Sequence, residues 1–223
     1  MTQRSVSFSE YEFYHIYNRG TDKRVIFQSL GDYQRFLEQL YLANSTQSVS
    51  VKDIKRKSPD IFKFERGDQL VAIGAYCLMP NHFHLLATPL VENGLSKFMS
   101  KLMTGYSMYF NKKYERTGGL FEGRFKAKHA DSDEYLKYLF SYIHLNPAKL
   151  HQSDWRENGP TNQDVIFNFV KNYNHSSLPE YLDTERPVAT ILNKNLFPEY
   201  FNNRQATQEE LFTWLFYQDE FNI

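Results

Sequence analysis

The 223-residue chain has little cysteine, no long apolar run and no net charge. Cys77 is its only cysteine, which excludes an internal disulfide and a cysteine-rich zinc site and fits a reducing environment. The N-terminal residues lack the apolar segment of an export signal. No apolar run reaches the roughly 18 residues that a membrane-spanning helix requires. We therefore expect a soluble, cytoplasmic protein without a membrane partner.

The charges balance overall but are distributed unevenly. Residues 94–130 hold eight basic and two acidic side chains, whereas residues 151–223 hold five basic and eleven acidic ones. Aromatic side chains alternate with the basic ones in the first segment: Tyr106, Tyr109, Phe110, Tyr114, Phe121 and Phe125. Cations and rings together suit a groove for single-stranded nucleic acid. A solvated helix face with its rings in the core has the same composition, so both interpretations stay open.

Alternation and turn residues predict the order strand, helix, strand, strand, helix, strand, which is that of a ferredoxin-like α+β sandwich. The sheet would be mainly antiparallel, with the helices on one face. The predicted strands are "YEFYHIYNRG", "QLVAIGAYCLMP", "HFHLLATP" and "FEGRFKAKHA", and the predicted helices are "GDYQRFLEQLYLANST" and "GLSKFMSKLMTGYSMYFNKKYERTGG", with a variable loop at residues 46–68. An extra helix, "DSDEYLKYLFSYIHLNP", follows.

The composition turns acidic and aromatic after Pro147. This change divides the chain into a domain over residues 1–150 and an appendage over residues 151–223. The appendage includes a predicted terminal helix, "QEELFTWLFYQDEF". We expect it to dock on the core, because its apolar face would otherwise be exposed.

Two histidines lie one residue apart in the apolar stretch "YCLMPNHFHLLATP". Side chains at i and i+2 of a strand point to the same face, so His82 and His84 would project together as half of a metal site. A pair of hydrogen-bonded core histidines gives the same spacing. In the extra helix, Tyr142 and Asn146 are one turn apart on the same side. The amide oxygen of Asn146 can be a third ligand for a hard divalent cation.

Three blocks, "MPNHFHLL", "RTGGLFEGRFKAK" and "YIHLNPAK", together resemble the single-tyrosine HUH transposases, in particular the REP-associated tyrosine transposases. The resemblance covers roughly residues 11–150, where "YHIYNRG" is similar to the family's first strand, and it does not reach the acidic tail. It implies that His82, His84 and Asn146 bind a divalent metal and that Tyr142 is the nucleophile. Imidazole and amide donors with open positions suit Mg²⁺ or Mn²⁺.

The resemblance implies a DNA strand transferase that acts on single-stranded DNA with hairpin ends through a 5′-phosphotyrosine. Tyr135 and Tyr138 lie near the same helix face as Tyr142, so position alone does not choose among them. Only Tyr142 has an amide one turn after it.

Basic residues near the predicted fourth strand are the candidate DNA contacts. Arg124, Lys126 and Lys128 alternate and would share a face, and we expect them, with Arg116 nearby, to contact the DNA backbone. The alternative function is a non-enzymatic module that binds single-stranded DNA or RNA through a ferredoxin-like sheet, with structural histidines. The sequence leaves open whether the chain is a homodimer.

Overall fold

The computed structural model describes residues 7–47, 50–58, 60–200 and 203–216. Its single described sheet has four antiparallel strands in the order β2-β3-β1-β4. The strands are β1 (Tyr14–Arg19), β2 (Val71–Met79), β3 (His82–Pro89) and β4 (Lys126–His129). A two-residue turn at Pro80 and Asn81 joins β2 to β3, as predicted. The ferredoxin-like α+β fold is confirmed, and the histidine strand β3 is an interior strand.

Helices α1 (Leu30–Ala43) and α3 (Gly94–Lys113) pack on one face of the sheet, and the short α2 (Val51–Lys57) lies between them in sequence. Their buried side chains recur at helical spacing: Phe36, Leu37, Leu40 and Tyr41 in α1, and Leu95, Phe98, Met99, Leu102, Tyr106 and Phe110 in α3. This spacing confirms both amphipathic helices. The burial of these apolar and aromatic side chains is a main source of the stability of the fold.

A buried carboxylate joins the start of α1 to the end of α3. Asp32 accepts hydrogen bonds from the Lys113 ammonium at 2.7 Å and from the hydroxyls of Tyr109 at 3.0 Å and Tyr114 at 2.7 Å. The Oδ2 atom of Asp32 also accepts hydrogen bonds from the backbone N–H groups of Gln28 and Ser29, which precede α1. A buried charge is tolerated when it is hydrogen-bonded in this way.

Helix α4 (Asp133–Leu145) crosses the opposite face of the sheet. The tail then adds α5 (Ala148–His151), α6 (Trp155–Asn158), α7 (Gln163–Lys171), α8 (Leu178–Tyr181) and α9 (Arg204–Phe216). Buried residues of α4 and of the tail form one apolar cluster with this face of the sheet. No helix among the residues described here combines the length and apolar character needed to cross a bilayer.

The tail also pairs with the outer strand β2. Leu78 N–H donates to the His175 carbonyl at 2.8 Å, and Ser177 N–H donates to the Tyr76 carbonyl at 3.0 Å. The Phe197 ring packs on Gly74 so closely that a Cβ there would lie 2.7 Å from it, so this position requires glycine. The tail is thus part of the packed structure.

Several predicted boundaries were wrong. The loop predicted for residues 46–68 contains α2 and a 3₁₀ turn, Ile61–Lys63, because Val51 and Ile54 pack into the core despite the charges around them. Helix α3 ends at Lys113, before the Gly118-Gly119 pair. Of the predicted terminal helix, residues 217–221 lie outside the described residues.

Candidate active site

The face of the sheet below α4 carries a row of polar side chains from three strands. His84 of β3 lies opposite Tyr17 of β1, which lies opposite Lys126 of β4, and His82 lies opposite Arg19. Directly opposed residues of an antiparallel pair share a face. Strand alternation therefore brings both histidines, as predicted, to the face that α4 crosses.

Helix α4 lies against these histidines through Tyr142. Ser132 caps the helix by accepting from the Tyr135 N–H at 3.2 Å, which sets where its turns begin. The centroid of the Tyr142 ring is 5.5 Å from that of His84. One turn later, at the end of the helix, the side chain of Asn146 is buried beside His82. The predicted tyrosine, amide and histidines are therefore neighbours.

A cavity of about 310 Å³ opens on this face. The residues that border it include His82, His84, Tyr142, Tyr17, Arg19 and Lys126. Of Tyr135, Tyr138 and Tyr142 in α4, Tyr142 is the one that borders this cavity. The Tyr138 ring packs against Trp214 at 4.9 Å, and the Lys128 ammonium lies 4.6 Å from the centroid of the Tyr135 ring. The fold thus distinguishes three tyrosines that sequence position does not.

Both site histidines are neutral at physiological pH. Burial lowers the pKa of His82 to about 4, although the nearby Asn146 side chain opposes this shift. Burial, with the neighbouring His15 and His82, holds the pKa of His84 well below its ordinary value. A neutral imidazole has a lone pair available, so both rings are in the protonation state that metal binding requires.

The buried Oδ1 of Asn146 has no hydrogen-bond donor in good geometry among the described residues, and the Asn146 side chain lies close enough to His82 to favour the protonated form of that ring. A buried acceptor without a donor destabilises a fold by about 1–3 kcal/mol, and a cation can remove that cost. No group of three or more His, Cys, Asp or Glu residues in the described ranges could hold a metal ion. Two neutral imidazoles and this amide oxygen are nevertheless a donor set that fits a divalent metal ion with open coordination positions.

The family model described as "Transposase IS200 like" matches residues 34–146, from α1 to the amide that ends α4. The chain belongs to the IS200-like transposase family. A solved structure titled "Structure of the REP associates tyrosine transposase bound to a REP hairpin" aligns with the transposase at a TM-score of 0.51 and 13% identity, over 89% of each chain. That likeness shows a shared fold. No curated protein matched the chain.

Two residues that sequence reasoning missed also contact the site of this transposase. His15 of β1 is fully buried, and its Nε2 lies 2.9 Å from Nδ1 of His84. Arg156 of α6 places its Cζ 4.4 Å from the centroid of the Tyr142 ring. The alternation of His15 with Tyr17 could have indicated that both face the site. No sequence pattern indicated that a tail arginine would reach Tyr142.

The four basic residues predicted to contact DNA lie in three different parts of the structure. Lys126 and Lys128 are exposed on β4 and share the face of the site histidines. Arg124 precedes the strand, contrary to the predicted alternation, because β4 begins only at Lys126, and it lines a different cavity. Arg116 donates to Asn111 Oδ1 at 3.0 Å near the end of α3. Of these four residues, the two lysines are therefore the ones on the face that carries the site histidines.

Proposed function

We propose that this transposase cleaves and rejoins single-stranded DNA through a covalent bond between Tyr142 and a 5′ phosphate, as a REP-associated tyrosine transposase. The observation that supports this most directly is that Tyr142 and two neutral histidines border one cavity, with the buried amide of Asn146 beside His82. A binding module with structural histidines does not require a tyrosine hydroxyl group beside two neutral imidazoles in an open cavity. That arrangement favours the enzyme over a non-enzymatic binding module.

The first step exchanges one ester for another. Tyr142 Oη loses its proton and attacks phosphorus, a bond forms between Oη and phosphorus, and the bond from phosphorus to the 3′ oxygen breaks. The 3′ oxygen takes up a proton and leaves as a hydroxyl, while the 5′ side stays on Tyr142 as a phosphotyrosine. A phenol has an ordinary pKa near 10, so it is a weak nucleophile at neutral pH without neighbouring positive charge.

Cationic groups beside the ring supply part of that charge. Arg156 lies over Tyr142, and its guanidinium would favour the phenolate and the phosphate that approaches it. Lys126 and Lys128 would hold the strand along β4. Mg²⁺ or Mn²⁺ held by His82, His84 and Asn146 would polarise the scissile phosphate when bound.

Strand transfer is the reverse of the first step, with the 3′-hydroxyl of a second DNA end as the attacking group. A second 3′-hydroxyl attacks the phosphotyrosine, the bond to Oη breaks, and Tyr142 regains its proton. One phosphodiester replaces another, so the reaction requires no ATP. The similar solved transposase was bound to a REP hairpin, which supports hairpin-forming DNA as the substrate proposed for this chain. We assign catalysis to residues 1–150, with residues 151–223 contributing Arg156.

The test is to trap the covalent intermediate. Labelled single-stranded DNA from around the gene, folded into its hairpins, is incubated with the protein in Mg²⁺ or Mn²⁺, and a protein-linked 5′ fragment is expected. Tyr142→Phe should abolish it, because one oxygen is lost and the packing is kept. Tyr135→Phe and Tyr138→Phe are matched controls on the same helix and should retain it. An adduct that peptide mapping assigns to Tyr135 or Tyr138, or no adduct at all, would contradict the proposal.

The metal ligands have their own test. His82→Ala with His84→Ala should abolish metal-dependent cleavage while much of the DNA affinity remains, because phosphate contacts elsewhere dominate binding. Cleavage by this double variant at the wild-type rate would show that these histidines are not the ligands.

A further inference from the structure

A second, larger cavity of about 780 Å³ lies between α3, residues 7 and 8, and the turn before β4. Apolar side chains line part of it, including Phe8, Phe125, Met99 and Met103. The rings of Phe8 and Phe125 are nearly parallel, with an angle of 15° and centroids 6.1 Å apart. Flat rings and polarisable thioethers give the kind of surface on which an aromatic base can stack.

Polar groups border the same cavity. The exposed Arg124 and the hydroxyls of Ser100 and Thr104 on α3 take part in lining it. A guanidinium suits a phosphate, and hydroxyls can both donate to and accept from the edge of a base. The combination of apolar wall, hydroxyls and one cation matches a nucleotide better than it matches a purely apolar ligand.

This second cavity shares a wall with the site cavity. Asn18 lines the site cavity, and its buried amide donates to the Gly123 carbonyl at 3.3 Å and contacts Met103 Sδ at 3.8 Å. Gly123 and Met103 both line the second cavity. The turn before β4 also joins the two cavities, since residues 123–125 line the second cavity while Glu122 and Lys126, on either side of them, border the site cavity. A strand that leaves the site over this turn reaches the second cavity directly.

We propose that the second cavity binds one unstacked nucleobase of the DNA strand that Tyr142 attacks, with Arg124 on its phosphate. The inference rests on the proposed function for the identity of the strand. It adds a base-binding position at a fixed distance along the strand from the scissile phosphate. Such a position would bias where the strand is cut.

The experiment measures binding rather than cleavage. In a Tyr142→Phe background, a labelled single strand from around the gene is titrated by fluorescence anisotropy, with one abasic site moved along it a nucleotide at a time. Loss of the stacked base should weaken binding by about tenfold at one position. Adding Thr104→Trp, which places a ring in the cavity, should remove the abasic effect at that position while effects at other positions persist.

Ser100→Phe is a second variant that fills the same cavity, and both changes are at exposed positions of α3. Met108→Trp, at an exposed position of the same helix outside the cavity lining, is the matched control and should keep the abasic profile. Retention of the full profile in both filling variants overturns the proposal, as does the absence of a sensitive position or of strand binding. The two proposals can fail separately. If the protein with Tyr142 intact forms no adduct but the abasic profile is present and depends on the cavity, the proposed chemistry is overturned and the base site is supported.

Discussion

His15 Nε2 and His84 Nδ1 lie 2.9 Å apart in a buried contact between β1 and β3. Burial, with a contribution from the Lys128 charge, lowers the pKa of His15 to about 3, so the contact joins two neutral rings. One ring must donate and the other accept, which couples their tautomers. When Nδ1–H of His84 donates to Nε2 of His15, Nε2 of His84 keeps its lone pair for a metal. Contacts of this kind orient the ligands of metal sites.

Substitution of His15 is therefore expected to weaken metal binding without removing a ligand. His15→Phe keeps a ring but loses the nitrogen that meets His84, and we expect a 10–100-fold loss of Mn²⁺ affinity, measured by isothermal titration calorimetry. His129→Phe, on β4 and bonded to Glu12, is the matched control and should bind Mn²⁺ as wild type does. Unchanged Mn²⁺ binding by His15→Phe would show that the contact is structural only.

Arg156 is expected to accelerate formation of the adduct. Arg156→Gln removes the charge beside the Tyr142 ring, and a cation at a ring face is worth about 0.5–2 kcal/mol, or roughly 2–30-fold in rate. Arg156→Lys should recover part of the loss. Single-turnover adduct formation measures both, with the exposed tail residue Arg204→Gln as control. Equal rates for Arg156→Gln and wild type would exclude the role.

The lysines of β4 are expected to carry part of the salt dependence of DNA binding. Lys126→Gln and Lys128→Gln should each lower the slope of log affinity against log salt by about 0.7, the value for one phosphate contact on a single strand. Lys112→Gln, an exposed change near the end of α3, is the control and should leave the slope unchanged. A loss confined to one hairpin sequence would instead indicate that these lysines contact bases.

Asp32 is expected to make the free energy of unfolding fall at acidic pH. Burial raises the pKa of this carboxyl, but hydrogen bonds from Lys113, Tyr114 and Tyr109 outweigh burial and hold it below its usual value. The ionised form is thus favoured by folding, so its stabilisation is complete above the unfolded pKa of about 3.9 and is lost as pH falls through the lower folded pKa.

The corresponding variant is Asp32→Asn. It should lower the free energy of unfolding by about 2 kcal/mol near neutral pH and make the acid limb of the profile shallower, measured by urea denaturation from neutral pH to about pH 3. Asp68→Asn, at an exposed position, is the control. An acid limb as steep in Asp32→Asn as in wild type would assign the acid sensitivity to other groups.

Periodicity predicted the parts of the fold that local sequence determines. The face of β3 that carries His82 and His84, the turn at Pro80 and Asn81, and the apolar sides of α1 and α3 follow from alternation and helical spacing. The contacts of His84 with His15 and of Tyr142 with Arg156 join distant parts of the chain. Local spacing carries no information about such pairs, because register and tail packing decide them.

The docking of the tail on β2 has a consequence for how the chain behaves when it is shortened. Residues 175–177 occupy backbone groups of β2 that would otherwise be open to strand addition from another molecule. Cutting the chain after residue 150 would uncover these groups together with the apolar side chains of α4 that pack against the tail. The shortened protein would then self-associate, so the tail insulates the sheet against aggregation as well as supplying a charge to the site.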